Sequence, residues 1–470
     1  LRVVWGFAEV IRSFLPITAF RKVDFPTFVC PKTPTNPDLN DPIVAPGGTI
    51  EIDIIVKIVL AYYTRTPMNI LITNIGQLIT PYGRAPAGGK QMNDLTIYKG
   101  VELLTNGERI SEIAARTDRA GVDRTIDARG GVVLPGLVDP HTHAVFAGTR
   151  EEEFLARLQG TPYDGGGILA SARAVATTSV EDLVEGALPY LQRMLACGTT
   201  TVEIKSGYGL SLENETKLLV AIRHLKKMMP MRVVPTFLGA HAFPEEIGRD
   251  DYISSIITEM IPTVRRRRLA QFCDVFCDRG FYTRAETRTI LRAARGAGLR
   301  LKLHADELAD VGGAELAAEL EVTSADHLLK VSEKGMKRLK EAGVIPVLLP
   351  GTAFNLASGY APARRMIELG LPVALASDFN PGTCPIYSMW IVIGLAVIKM
   401  GLSIEEAITA ATLNAACALE LSEEIGSLEK GKAADLILLD LESYRQIPYF
   451  FGHNPVRMVI QGGKVVYESA

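Results

Sequence analysis

Hydrophobic and polar positions follow different rhythms in successive parts of this chain. Residues 1–67 show no clear period and carry a turn-rich stretch, PKTPTNPDLNDPIVAPGG. From Met68 the text changes: MNILITNIGQLIT alternates with period two, the mark of a half-buried strand. Short β segments continue to about Val132, with a hairpin predicted around Asn106-Gly107. From about Gly426 the pattern returns. ADLILL and VRMVIQGGKVVY are β-rich, and Gly462-Gly463 predicts a tight turn inside the second. Two β segments at opposite ends of a chain can pair, so 68–132 and 426–470 are expected to form one small discontinuous β-sandwich domain. Residues 1–67 are expected to be a non-native or poorly ordered leader to a functional protein that starts near Met68.

Between these ends, over 133–425, strand-like and helix-like segments alternate. Strands are predicted over 136–143, 199–206, 232–241, 273–281, 298–304, 322–328, 344–350 and 372–378. Helices are predicted near 180–196, 212–228, 250–268, 284–296, 311–319, 332–342, 360–369 and 403–420. Eight of each is the count of a (β/α)8 TIM-type barrel. A doubly wound open sheet would place a GxGxxG phosphate loop after the first strand, and none is present.

Composition narrows the partners. The net charge of -3 argues against nucleic acid or an anionic membrane as an obligatory partner. The run Arg265–Arg268 reads as a solvated helix end. Ile54–Tyr63 is too short to span a bilayer, and no secretory signal pattern is evident. The six cysteines are scattered, which fits a reduced cytoplasmic protein, and Cys273 and Cys277 read as small hydrophobes packed on one strand.

Barrel enzymes work at the C-terminal ends of their strands, so the polar residues there carry the chemistry. The first strand ends GLVDPHTH, with His141 and His143 on one face. An HxH alone also fits one packed and one solvated histidine. The third strand, however, ends with His241, the fifth with His304 followed by Glu307, the sixth with His327 and the eighth with Asp378. Five of seven histidines and an aspartate at one rim make a metal site. In the fifth strand Leu299, Leu301 and Leu303 share one face and Arg300, Lys302 and His304 the other, so leucines toward the helices aim His304 inward. His141, His143, His304 and Asp378 are the predicted ligands: three imidazoles and a carboxylate, suited to Zn²⁺ or Fe²⁺, with Fe³⁺ a further option. The fourth strand, CDVFCDRGFY, has no lysine to bridge two metals and Lys205 lies on the second, so one ion is expected. His224 on a helix and His453 in a loop are expected to take no part.

The motifs HTHAVFAGTREEEF, TTVEIKSGYGL, FLGAHAFPEE, LHADEL, SADHL and SDFNPGT, with the terminal GSLEKGKAADLILLD, resemble the imidazolonepropionase family of the metal-dependent amidohydrolase superfamily, over about Met68 to Ala470. The resemblance implies hydrolysis of the cyclic amide of 4-imidazolone-5-propanoate to N-formimidoyl-L-glutamate by a metal-activated water. It implies that Arg150 holds the propionate, that Tyr208, His241 and Glu307 contact substrate, and that Asn380, Gly382 and Thr383 shape the pocket. In that mechanism His241 donates to the developing oxyanion, Glu307 shuttles the proton, His327 orients the water or shares the proton work, and Asp378 ligates the ion and takes part in proton transfer. A homodimer is left open as the assembly. The chain departs from the family in RLQGTPYDGGGI, where Tyr163 and Gly165 are nearly adjacent. Two other readings remain: a mononuclear-metal aminohydrolase of the guanine or cytosine deaminase type, and a barrel that has lost its chemistry.

Overall fold

The computed structural model describes residues 67–160 and 167–469. Residues 1–66 of the expected leader, 1–67, and the Tyr163–Gly165 connection lie outside the described residues. The N-terminal strands are β1 (Ile70–Thr73), β2 (Gln77–Thr80), β3 (Thr96–Tyr98), β4 (Glu102–Asn106), β5 (Arg109–Ala114), β6 (Arg124–Asp127) and β7 (Val132–Pro135). The central ones are β8 (Leu137–Asp139), β9 (Thr199–Lys205), β10 (Arg232–Ala240), β11 (Phe272–Cys277), β12 (Arg300–Ala305), β13 (Ser324–His327), β14 (Ile345–Leu348) and β15 (Ala374–Leu375). The C-terminal ones are β16 (Leu436–Leu439), β17 (Val456–Gln461) and β18 (Lys464–Glu468).

The two ends of the chain meet as their alternation implies. One sheet has the order β5-β4-β1-β6, and a second, β18-β17-β16-β7-β2-β3, interleaves strands from both termini. Inward positions of both sheets, among them Ile70, Ile72, Leu103, Val133, Leu436, Leu438 and Ile460, form one buried core. Gly462 and Gly463 turn β17 into β18 with both φ angles positive, as a two-residue hairpin of this hand requires. In the β4–β5 hairpin Asn106 pairs with Arg109, so the tip is Gly107-Glu108, one residue later than expected.

The central strands form an eight-stranded parallel sheet in sequential order, β8 to β15. It closes into a barrel beyond the last strand: Asp378 N–H donates to His141 O (3.0 Å), His143 N–H donates to Phe379 O (2.9 Å), and the Asp139 carboxylate accepts from Ser377 N–H (3.0 Å). Several strands are shorter than their apolar runs suggest. β8 stops at Asp139, before Pro140, which has no N–H for a ladder, so His141 and His143 stand beyond the strand rather than within it. The run 344–350 ends in a short helix, Pro350–Asn355.

Helix Met389–Met400 was not predicted. Its sequence, MWIVIGLAVIKM, is apolar nearly all round and so shows no amphipathic period. The helix predicted over 403–420 breaks at Thr412 into Ile404–Ala411 and Leu413–Cys417. That over 250–268 contains a π turn, Ile256–Met260, just ahead of Pro262, which has no N–H to donate back to the preceding turn. Arg265–Arg268 are exposed, His224 is half-buried on helix Leu212–Met228, His453 is exposed, and Cys273 and Cys277 are buried thiols.

Candidate metal centre and pocket

Strand alternation builds the floor of the site. Glu203 and Lys205 on β9, Lys302 and His304 on β12, and Ser324 and Asp326 on β13 are all buried. They are two residues apart on their strands and so share the inward face. Lys205 Nζ lies 2.8 Å from Asp274, 3.0 Å from Glu203 and 3.5 Å from Asp326. Burial opposes its charge, but these three carboxylates outweigh burial and hold its pKa above the ordinary lysine value. Lys302 Nζ donates to Glu203 (2.7 Å) and to the carbonyl of Pro140 (2.8 Å), pinning the segment that carries His141.

Above this floor stand the imidazoles. The ring centroids of His141 lie 5.4 Å from His143 and 4.5 Å from His304. One ring nitrogen from each of these three falls within 4.8 Å of the others. Asp378 Oδ1 is 3.5 Å from His141 Nε2 and 3.7 Å from His143 Nε2. His141 Nδ1 pairs with Asp326 Oδ2 at 2.6 Å, which directs the Nε2 lone pair into the centre. His141 Nε2 and both ring nitrogens of His304 are buried without a hydrogen-bond partner, although His304 Nδ1 is 3.0 Å from Asp274, out of line for a bond. Buried polar atoms are seldom left this way. Orphaned imidazole nitrogens converging on a carboxylate fit a divalent cation. His327 belongs to an overlapping group with His141 and Asp378, so its nitrogen borders the same point.

Electrostatics keep these groups in ligand form. Burial first, then the positive charges and imidazoles nearby, push His141, His143 and His327 well below the usual histidine value. Burial lowers His241 to about 3. It raises Asp378 to about 6 against the bond from Thr352 Oγ1 (2.5 Å), and raises Glu307 well above the carboxylate range, with Asp378 and Asp278 adding to the effect. Asp378 and His327 have φ of 54° and 74°, left-handed values uncommon outside glycine that cluster where function demands them.

A pocket opens over the centre, lined by His143, Arg150, Tyr208, His241, His304, Glu307, His327, Asp378, Asn380 and Thr383 among others. Every residue singled out from the sequence is in this wall except His141, buried below it, and Gly382, whose lack of a Cβ leaves space for the Arg150 guanidinium. His143 and His241 stack at 5.1 Å, and Tyr208 lies 5.4 Å from His241. Asn380 Oδ1 accepts from the N–H of Gly382 and Thr383, closing the loop after β15. Asp278 accepts from the N–H of Glu307, Leu308 and Ala309 and fixes the loop that presents Glu307. Arg150 lines the pocket with its Nε and Nη2 bound to Glu153. Sequence reading missed Asp274, Asp278, Asp326, Glu203, Glu153 and Arg157. Only the inward period of β9, β11 and β13 hinted at Glu203, Asp274 and Asp326.

A closed α/β barrel with three imidazoles and a carboxylate at its C-terminal rim defines a metal-dependent hydrolase. Two stretches, 277–466 and 124–243, match models of the amidohydrolase family. The chain is 46% identical over 416 residues to the imidazolonepropionase of Alkaliphilus oremlandii, covering 86% of this chain and 99% of that one. It is 50% identical over 406 residues to that of Geobacillus thermodenitrificans, covering 83% and 96%. The chain belongs to the imidazolonepropionase family of amidohydrolases. Among solved structures, a zinc-bound adenosine deaminase from Xanthomonas campestris shares the fold, with a TM-score of 0.64 at 20% identity over 85% of this chain and 93% of that one.

Proposed function

We infer that this protein hydrolyses the cyclic amide C–N bond of 4-imidazolone-5-propanoate to N-formimidoyl-L-glutamate, in histidine degradation. The observation that carries the reading is the near-complete match to relatives of that name, together with a pocket that joins a metal-type donor set to a guanidinium. His141, His143, His304 and Asp378 would hold one ion, Zn²⁺ or Fe²⁺. When bound, the ion acidifies water and polarises the ring carbonyl. His241 donates through Nδ1 to the carbonyl of Gly207 (3.0 Å), so it serves the developing oxyanion through Nε2 in its protonated form. Glu307 takes the proton of the attacking water and returns it to the leaving ring nitrogen. His327 stands beside it, with Nδ1 3.5 Å from Oε2, where it can share the proton work. Arg150 meets the propionate. The reading places the enzyme in the reducing cytoplasm, where the five described cysteines, all free and buried, persist as thiols.

The test is loss of the imidazolone chromophore with protein loaded with Zn²⁺ or Fe²⁺, beside an ammonia assay on guanine and cytosine. Ring opening without ammonia supports the reading. Ammonia from a base without ring opening replaces the substrate and keeps the metal centre.

A further inference from the structure

Arg150 directly precedes helix Glu151–Leu158, none of whose apolar residues is buried. A helix on the surface with no core to face needs another reason for its position. Its i,i+3 and i,i+4 neighbours supply one. Glu153 Oε2 accepts from Arg150 Nε (2.8 Å) and Nη2 (2.6 Å), while Oε1 accepts from Arg157 Nη1 (2.8 Å). Arg157 Nη2 then donates to the carbonyl of Gly382 (2.9 Å), tying the helix to the loop after β15. The side chains of Arg150 and Arg157 are only 8% and 10% exposed. The backbones of Gly167 and Gly382 approach the Arg150 guanidinium so closely that a Cβ on either would overlap it. The group is therefore fixed on several sides before any ligand arrives.

We propose that Glu153, acting through Arg150 and Arg157, is the residue that makes the pocket specific for a carboxylate side chain. The Nε edge of Arg150 is committed to Glu153, which leaves the Nη1 end to meet a ligand carboxylate. Two guanidinium groups share one carboxylate, so the cluster keeps a single positive charge, matched to one anionic group. Glu153 is a positioning residue: it need not touch substrate, and it lowers the cost of binding by holding the fork in place. The proposal rests on the assignment of the propionate to Arg150. Because that carboxylate lies apart from the scissile bond, it is held alike in the ground and transition states, so the effect falls on KM.

Two measurements separate this proposal from the function itself. In the first, Glu153→Gln and wild type are compared on 4-imidazolone-5-propanoate and on its neutral side-chain amide. The expected result is a KM for the acid raised about 10- to 100-fold, with kcat little changed and the preference for acid over amide largely lost. Arg157→Met should move the same way by less. In the second, binding of 3-(imidazol-4-yl)propanoate and of its amide is titrated without turnover, and Glu153→Gln should erase the acid preference there too. If the wild type opens no imidazolone ring but binds the acid in a Glu153-dependent way, the substrate reading fails and the proposal stands. If Glu153→Gln turns over or binds with undiminished acid preference, or loses kcat at constant KM, the proposal is overturned and the substrate reading stands. Glu153 and Arg157 lie on a helix that adds no apolar residue to the buried core, so the barrel is expected to fold in both variants.

Discussion

At the scale of single residues, the centre depends on groups that never reach the pocket. Lys205 joins Asp274, beside His304, to Asp326, the partner of His141, and it does so with no solvent contact. A buried ion cluster of this kind contributes little net stability, but removing one member leaves the others uncompensated, at about 3–5 kcal/mol. Lys205→Met should therefore weaken metal affinity by about 10- to 100-fold, the usual size for a lost supporting contact, and lower the melting temperature. Competition with a chromophoric chelator measures the first and calorimetry the second; unchanged affinity would sink the positioning role. Glu307→Gln should act differently, keeping the metal while kcat falls about 10²- to 10⁴-fold, and near-normal turnover with full metal content would remove Glu307 from the proton path. The contrast also shows what was legible. His141, His143, His304 and Asp378 could be found because each ends a strand-like run in a barrel. The cluster under them could not, since period two says that Glu203 and Lys205 face inward but not which distant carboxylate they meet. Nor could it show that Arg150 would already be engaged by Glu153.

At the scale of elements, helix Arg284–Gly296 shows how local chemistry sets a boundary. Thr283 and Glu286 form a capping box, and Ile290, Leu291 and Ala294 turn one face to the barrel. Arg249 grips the same Glu286 through Nε (2.6 Å) and Nη2 (2.7 Å). That bond, ahead of burial, which opposes it, lowers the Glu286 pKa from 4.5 to about 2. A depressed carboxylate pKa stabilises the fold above its unfolded value and loses that contribution as pH falls through the folded one. Glu286→Gln should thus cost about 1 kcal/mol at pH 7, the size of a lost cap, and the gap to wild type should close between about pH 4.5 and pH 2. Urea midpoints at pH 7 and pH 3 test this, and a gap independent of pH would assign the loss to something other than the carboxylate charge. Helices such as this were readable because cap and amphipathic period agree. Met389–Met400 was not, because an element buried on nearly all sides has no polar face to give it a period. Strand ends were overestimated for a related reason: β15 is two residues long although 372–378 is apolar enough to continue, and the chain leaves the ladder to place Asp378 at positive φ.

At the scale of the whole molecule, the proposed metal donors come from widely separated parts of the sequence: His141 and His143 follow β8, His304 lies on β12 and Asp378 follows β15. Asp378 and His141 also sit at the seam where the barrel closes, joined by the bond from Asp378 N–H to His141 O. An ion held by these donors would bind the closed barrel and find no equivalent site in an unfolded chain. Such a ligand raises stability by RT ln(1 + [M]/Kd), about 2.7 kcal/mol when free metal exceeds Kd a hundredfold. Chelation should then lower the melting temperature of the entire barrel, as one transition, by several degrees, and either Zn²⁺ or Fe²⁺ should restore it. Asp378→Asn should flatten that response, since it removes the carboxylate that couples the seam to the ion. Calorimetry of the chelated and reloaded protein decides the matter. A chelated barrel that melts at the same temperature as the loaded one would mean that the four donors are held in place by the buried ion cluster alone, and that the metal is required for the chemistry but contributes nothing to closing the barrel.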